Sequence, residues 1–215
     1  MELAVTHDRP VAGSRQVRAK RVLLANPWST CHGGTSMVLL EFVQHLDRTR
    51  YEPLVLCPTE GELPRRLTEL DAPYLVHSIA GLTRQSWRPF VCDAYWCVRL
   101  LRRNKIDLVH LNGPKWRSSL AWAAHYCRVP LVVHVHNPVR HAEKNFTLAW
   151  AKRILPVSRA VGEELWASRA LRPATHVVHN GVELARFSTT GDNNRAELGV
   201  DESTPLLGFV GQIVP

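Results

Sequence analysis

Short apolar runs that do not alternate with polar residues recur along this chain, and helical stretches separate them. They lie at residues 21–26, 53–57, 74–77, 106–111, 131–136, 153–157 and 176–179. A strand that is apolar without alternation is buried on both faces, as in a parallel sheet covered by helices. The pattern therefore predicts an α/β fold with a doubly wound, mostly parallel, Rossmann-like sheet.

Apolar residues at helical spacing predict the connecting helices. We expect helices at residues 33–46, 62–70, 89–104, 118–127 and 159–168, with a further short helix at 195–198. Each predicted helix but the last lies between two predicted strands, and this alternation is typical of a doubly wound α/β domain.

Composition changes divide the chain into four segments. Residues 1–19 are polar and basic and are interpreted as a flexible leader, ahead of an α/β domain at 20–183. Residues 184–204 are rich in Gly, Asp and Asn and are interpreted as a linker. The apolar run at 205–215 predicts the first strand of a second domain, and one strand cannot bury its own faces. We therefore expect the chain to be one domain of a larger protein.

Charge and cysteine usage restrict the partners and the compartment. The chain of 215 residues has 27 Lys and Arg against 19 Asp and Glu, a net charge of +8 that favours anionic partners. Its five cysteines form no C-x-x-C pair, which favours free thiols in a reducing cytosol. No apolar run approaches the length of a membrane span. We expect a cytoplasmic protein that does not bind nucleic acid, because no recognition module is present.

Polar residues follow five of the predicted strands, where open α/β sheets bind their ligands. These residues are Gly33, Gly34, Asn112, His136, Asn137, Ser158, Asn180 and Gly181. Because the carboxyl ends of parallel strands share one edge of the sheet, we expect these residues to lie along one rim. The sequence thus predicts a binding site there.

Single motifs at this rim leave alternatives open. Gly33 and Gly34 could bring backbone amides to an anion at a helix N-terminus, or simply form a tight turn. Neither a dinucleotide fingerprint nor a P-loop is present. His134 and His136 share one side of a strand and could hold a metal, but no acidic or cysteine ligand lies at a supporting spacing. We therefore interpret His134 as a core residue and His136 as the functional candidate.

In order and spacing, several short motifs resemble the N-terminal domain of retaining GT-B glycosyltransferases of the family 4 type (glycosyl transferases group 1). They are GGTSMVLLEFVQHL from Gly33, DLVH ending at His110, VHVHN ending at Asn137, LPVS ending at Ser158 and NGVE from Asn180. The run GFVGQI from Gly208 resembles the first strand of the nucleotide-sugar domain of that family. The resemblance covers about Lys20 to Pro215.

The resemblance implies a transferase that moves a sugar from a UDP- or GDP-linked donor to an acceptor, with retention of configuration and without a metal ion or other cofactor. It places Gly33 and Gly34 at the donor diphosphate and His136 at the reacting centre as the catalytic candidate. Asn112, Asn137, Ser158, Asn180 and Gly181 would line the substrate side. Arg140 and Lys144 would contact the acceptor, which could be a glycan, a lipid-linked molecule or a small molecule.

Three positions depart from the pattern of that family. Ser36 stands where many members have an acidic residue, Asn112 where many have histidine, and Gln212 where a phosphate-binding arginine is common. The glutamate pair of the family would lie beyond Pro215, so we expect this chain alone to be inactive.

Two other functions stay open. One is a non-catalytic docking module that rests on an anionic membrane surface through the basic helix at 99–105, at the inner membrane face. The other is a GT-B-like sugar epimerase, which would need a catalytic carboxylate that the sequence does not locate.

Overall fold

A parallel sheet of six strands forms the centre of the fold. The computed structural model describes residues 18–31, 33–83, 87–114, 117–187, 195–201 and 203–209. The strands are β1 (Lys20–Ala25), β2 (Tyr51–Cys57), β3 (Tyr74–Val76), β4 (Leu108–Leu111), β5 (Leu131–Val135) and β6 (Arg153–Pro156). Their spatial order is β3-β2-β1-β4-β5-β6, and all five pairings are parallel. The predicted fold class is confirmed.

Within the ranges just given, six helices connect and cover the strands. They are α1 (Gly34–Gln44), α2 (Glu62–Glu69), α3 (Trp87–Arg103), α4 (Ser119–Tyr126), α5 (Phe146–Ala149) and α6 (Arg159–Ala167). Short 3-10 turns occupy Ala142–Lys144, Arg172–Ala174 and Leu184–Phe187. Five of the six helices lie where the sequence predicts them, with ends that differ by a few residues. The sequence did not predict α5.

The sheet separates two hydrophobic clusters because side chains alternate along its strands. Leu23 and Ala25 of β1 face one cluster, whereas Val22 and Leu24 face the other. The first cluster is covered by α3, α4, α5 and α6, and the second by α1 and α2. The helices that precede β3 therefore lie on one face of the sheet, and those that follow β3 lie on the other face.

The predicted seventh strand at 176–179 is wrong, although this segment does bond to the edge of the sheet. The amide of His176 donates to the carbonyl of Ile154 (2.9 Å), and that of Val178 donates to the carbonyl of Pro156 (3.0 Å). Pro156 has no N–H to donate in return, so the ladder stays one-sided. Thr175 forms one isolated bridge with Ile154, and no regular strand develops.

The chain divides into two compact units, residues 1–181 and 182–215. In the second unit the short helix predicted at 195–198 is a single hydrogen-bonded turn, which ends at Gly199 with φ of 65°. The strand predicted at 205–215 is not formed at residues 205–209, and residues 210–215, with Gln212, lie outside the described residues. Within the described part of the chain, no helix is long and apolar enough to cross a membrane.

Candidate functional site

The carboxyl ends of β1 and β4 meet at the point where the strand order reverses. After β1 the chain continues to β2 on one side, and after β3 it returns to β4 on the other side of β1. Neighbouring loops diverge at such a point and leave a crevice, which is where open α/β sheets bind ligands. Asn26 follows β1, Asn112 follows β4 and His136 follows β5. The structure thus brings these three predicted strand ends together.

Three side chains at this crevice form a hydrogen-bonded chain. The amide nitrogen of Asn112 donates to Oδ1 of Asn26 (2.7 Å) and to the carbonyl of Thr35 (2.8 Å). Oδ1 of Asn112 therefore faces Nε2 of His136, at 2.8 Å. The amide of Asn26 donates in turn to the hydroxyl of Ser36 (3.0 Å). The first turn of α1 is thereby linked to the imidazole of His136.

The hydrogen bonds of Asn112 determine which nitrogen of His136 holds the proton in the neutral ring. An amide oxygen can only accept, so Nε2 of His136 must donate to Asn112. Nδ1 is then the unprotonated acceptor. Burial lowers the pKa of His136 below its ordinary value, which favours this neutral form. The site thus presents a neutral, oriented imidazole.

Two further histidines lie behind His136 in the interior. The rings of His134 and His136 are 4.4 Å apart between centroids, and those of His110 and His134 are 5.8 Å apart. The Nε2 atoms of His110 and His134 are buried, and neither has a hydrogen-bond partner among the residues that the structure describes. Burial, and then repulsion by His136 in its protonated form, lowers the pKa of each to about 4. Both are neutral near pH 7, in agreement with the interpretation of His134 as a core residue.

These histidines do not assemble into a metal centre. Within the described residues, no group of three or more His, Cys, Asp or Glu side chains could hold a metal ion. The five cysteines are all free. Burial, followed by the charge of Glu60, raises the pKa of Cys57 to about 12, so that thiol is not a reactive thiolate.

The N-terminus of α1 is open at the backbone. Gly34 is the first helical residue, and Gly33 precedes it with φ of −117°, a conformation that any residue can adopt. A Cβ atom added at either glycine would meet no other atom within 4 Å. Packing within the described residues therefore does not require glycine at these two positions. Both glycines are exposed, and the described residues leave space beside the first amides of the helix.

The hydrogen bonds that run through the side-chain amides of Asn26 and Asn112 to His136 form what we call the amide chain. A cavity of about 330 Å³ lies at its His136 end. Its walls include Trp28, Thr35, His136, Asn137 and Arg140. Four candidates from the sequence, namely Asn112, His136, Asn137 and Arg140, therefore line one cavity. Another cavity, of about 560 Å³, lies at the opposite edge of the sheet and is lined by residues such as Arg21, Tyr51 and Glu52 near the starts of β1 and β2.

The predicted residues differ in what their side chains contact. Asn112 is 2% exposed and uses its amide for protein partners, so the structure shows it in a positioning role. The hydroxyl of Ser158 caps α6 by accepting from the amide of Val161 (3.2 Å). Lys144 ends a 3-10 turn and is exposed, as are Asn180 and Gly181. Ligand contact by these residues stays a prediction.

The sequence reasoning missed a histidine–aspartate pair beside this site. His77 follows β3 directly, and its Nε2 contacts Oδ1 of Asp93, a buried residue of α3. A position directly after a strand is the same signal that identified His136, and it could have identified His77. Asp93 carried no such signal, because it lies inside a helix.

Comparison with known proteins identifies the family. The family model of Glycosyltransferase Family 4 matches residues 32–186, which is most of the chain and includes the amide chain from Thr35 to His136. The chain belongs to Glycosyltransferase Family 4. The resemblance found in the sequence is confirmed.

Family 4 relatives with curated names are glycosyltransferases. A GDP-mannose-dependent alpha-mannosyltransferase of Mycobacterium tuberculosis is 27% identical over 205 residues, covering 85% of this chain and 53% of the relative. A D-inositol 3-phosphate glycosyltransferase of Mycolicibacterium vanbaalenii is 35% identical over 136 residues, covering 51% of this chain and 28% of the relative. The chain thus spans about half the length, or less, of the relatives it matches.

Solved structures share the fold at low identity. A glycosyltransferase from Rickettsia africae has a TM-score of 0.66 at 16% identity, covering 86% of this chain and 51% of that one. Anabaena HepE in complex with UDP has a TM-score of 0.64 at 20% identity, covering 83% and 50%. The fold of this Family 4 chain is therefore that of one half of a GT-B protein.

Proposed function

We propose that this chain is the acceptor-side half of a glycosyltransferase that moves a sugar from a nucleotide-sugar donor to an acceptor. Transfer would retain configuration and would need no metal ion or other cofactor. One observation supports this above all. In a Family 4 chain, the open N-terminus of α1 and the oriented His136 are linked by one amide chain at the crevice.

The N-terminus of α1 suits the diphosphate of such a donor. Free backbone amides and the positive end of the helix dipole favour an anion there. The first turn of α1 contains no acidic residue that would oppose it. Donors aimed at a leaving diphosphate stabilise the negative charge that develops during transfer. Gly33 and Gly34 contribute by letting phosphate oxygens approach the backbone.

His136 is the group that we assign to the reacting centre. Its Nδ1 can accept a hydrogen bond from a hydroxyl of the donor sugar, while Asn112 holds Nε2. Asn137 and Arg140 line the same cavity as His136. Arg140 is the cationic residue nearest to His136 in the sequence, and we propose that it contacts the acceptor. Lys144, Ser158, Asn180 and Gly181 would complete the substrate side.

The names of the relatives support a diphosphate-linked donor without selecting its base. The mycobacterial relative is named for GDP-mannose, and HepE was solved with UDP. Both nucleotides carry the diphosphate that the N-terminus of α1 suits, so we propose a UDP- or GDP-linked donor. The free cysteines support our proposal of a cytoplasmic site of action.

A fusion protein tests the proposed function. One protein is the chain alone. The other is a fusion of the chain to the part of the M. tuberculosis mannosyltransferase that follows the matched region. We expect the fusion to hydrolyse GDP-mannose and the chain alone not to. Equal turnover by the chain alone would contradict its proposed dependence on a second half. A folded fusion that hydrolyses neither GDP-mannose nor UDP-glucose would contradict the donor assignment.

Replacing Gly34 with valine is expected to reduce turnover without unfolding the protein. An added Cβ meets no other described atom within 4 Å, and we expect the two methyl groups of valine to occupy the approach to the helix amides. A displacement of the donor by about 1 Å can cost roughly 10²-fold in rate. We therefore expect kcat/KM of the fusion to fall about 10²-fold with an unchanged Tm. Ala170→Val, at an exposed position after α6, is the control, and equal kinetics in both variants would contradict the assignment.

A second candidate function is docking on an anionic membrane surface, and the exposed side of α3 supports it. Trp87, Val91 and Tyr95 are 54%, 57% and 63% exposed along one stripe. The guanidinium groups of Arg88 and Arg99 lie over the rings of Trp87 and Tyr95, at 5.3 and 5.8 Å from their centroids. The one acidic residue of α3, Asp93, is buried. Exposed aromatic rings beside arginines suit the interface of an anionic bilayer.

Charge reversal tests this docking face. Vesicles of phosphatidylcholine with phosphatidylserine are sedimented with the chain, with Arg102→Glu/Arg103→Glu, and with the control Arg65→Glu/Arg66→Glu on α2, across the sheet. Each surface arginine contributes about 1 kcal/mol to such binding. We expect the α3 variant to bind at least tenfold more weakly, and the control to bind as the parent does. Equal loss in both variants would indicate a non-specific charge effect and contradict the assignment.

A further inference from the structure

The pair formed by His77 and Asp93 is built into the core of the domain. Oδ1 of Asp93 contacts Nε2 of His77, while its Oδ2 accepts from the amide of Ala80 (2.7 Å) and from the hydroxyl of Ser119. The carboxylate of Asp93 is 8% exposed, so these contacts satisfy a group that water does not reach freely. Asp93 thereby joins the loop after β3 to α3 and α4.

The orientation of the His77 ring follows from these contacts. An ionised carboxylate accepts only, so Nε2 of His77 donates, and Nδ1 is the unprotonated nitrogen of the neutral ring. The ring stacks on the indole of Trp96 with centroids 3.6 Å apart and planes 14° apart. The His77 side chain remains 29% exposed. A fixed ring with one acceptor nitrogen therefore stands at the surface.

His77 opens on a cavity that adjoins the one at His136. This cavity has a volume of about 410 Å³, and its walls include Pro58 and Ile79. It shares Pro27, Trp28, Gly113 and Pro114 with the cavity of His136. A ligand that fills both cavities would extend from His77 to His136 along the indole of Trp28.

The chemistry of the walls indicates what this cavity can bind. Among its lining residues that the structure describes, His77 has the only titratable side chain. Proline and aliphatic side chains form most of the surface, and Trp28 is 63% exposed. Such a site suits an uncharged ring with hydroxyl groups, whose C–H face packs on the indole while one hydroxyl donates to His77. A phosphate would require cations, and the lining residues that the structure describes supply none.

We propose that His77 accepts a hydrogen bond from a hydroxyl of an uncharged, polyhydroxylated ring in the acceptor, and that Asp93 is the positioning residue that orients it. This inference deepens the proposed function and rests on it, because it places the acceptor next to His136. The ring would lie between His77 and Trp28, with the hydroxyl that receives the sugar directed toward the neighbouring cavity.

Nuclear magnetic resonance of the chain itself tests the proposal. Long-range ¹H–¹⁵N spectra of the histidine rings are recorded while myo-inositol, or methyl α-D-mannopyranoside, is added. We expect saturable shifts at Nδ1 of His77 and at the indole N–H of Trp28. His77→Phe keeps a ring over Trp96 but removes the acceptor, and we expect it to weaken binding about tenfold. The absence of shifts at His77 with both probes would overturn the proposal.

A matched histidine gives the control. His125 is exposed and stacks on Trp150 with centroids 4.5 Å apart, away from both cavities. We expect His125→Phe to bind the probes as the parent chain does, and equal loss in the two variants would overturn the proposal.

The role of Asp93 has its own signature. Asp93→Asn removes the acceptor-only partner of His77, and we expect the His77 tautomer mixture to shift in the spectra while binding falls severalfold. An unchanged tautomer in a folded variant would overturn the positioning role, and His77→Phe tests the site if this variant does not fold. These spectra do not depend on GDP-mannose hydrolysis by the fusion, so failure of the proposed function and failure of this inference are distinguishable.

Discussion

Replacing Asn112 with alanine is expected to lower the free energy of unfolding by about 3 kcal/mol. The change removes the partner of three groups at once, namely Oδ1 of Asn26, the carbonyl of Thr35 and Nε2 of His136. Asn112 is 2% exposed, so water replaces it poorly, and each buried group without a partner costs roughly 1–3 kcal/mol. Urea unfolding measures the loss.

The control is Asn104→Ala, where the side-chain amide donates a single bond to the carbonyl of Leu100 (3.0 Å). We expect this variant to lose less than about 1 kcal/mol. Histidine spectra of Asn112→Ala should also show a changed tautomer mixture at His136. If both variants lost the same small amount and His136 kept its tautomer, the amide chain would have no organising role.

Acidification from pH 6.5 to pH 4 is expected to destabilise the domain by several kcal/mol. Burial lowers the pKa of His110 and of His134 to about 4, from an ordinary value of 6.5. Between these values the unfolded chain binds more protons than the folded one, so stability rises with pH in this window and is lost as pH falls. For His110 alone the difference corresponds to roughly 3 kcal/mol, a large fraction of the 5–15 kcal/mol typical of a domain.

The variant His110→Phe isolates this effect. In the parent chain, Nε2 of His110 is buried and has no partner among the described residues. The edge-to-face contact of His110 with Phe42 (5.6 Å between centroids) can accommodate a phenyl ring instead. We expect unfolding free energies measured from pH 7 to pH 4 to fall less steeply than in the parent chain. The exposed His176→Phe should keep the slope of the parent. A parent chain equally stable at pH 4.5 and pH 7 would contradict the prediction.

The sheet could be predicted from the sequence because its strands are buried on both faces, which leaves continuous apolar runs. The helix α5 could not, since its four residues give no helical period, and it depends on the Asn145 side chain, which accepts from the amide of Thr147 (3.1 Å). The strand predicted at 176–179 has a suitable apolar run, but the missing N–H of Pro156 on its neighbour decides the outcome.

The candidate site was predictable only in part. The rule that ligands bind at strand ends located Asn112 and His136 on one rim, and the structure joins them. It could not show that the side-chain amide of Asn112 donates to Asn26 and Thr35, which lie 86 and 77 positions away in the sequence. The pair of His77 and Asp93 likewise depends on how α3 packs against the sheet, which no local pattern encodes.

The segment 175–178 beside β6 has a consequence for association between molecules. A bare edge strand offers carbonyl and amide groups to which a strand of another chain can add, and this is a common route to aggregation. Here the carbonyls of Ile154 and Pro156 are already occupied by His176 and Val178. At the opposite edge, β3 has only three residues. One edge of the sheet is thus covered, and the other is only three residues long. We therefore expect little association through addition of a strand to either edge.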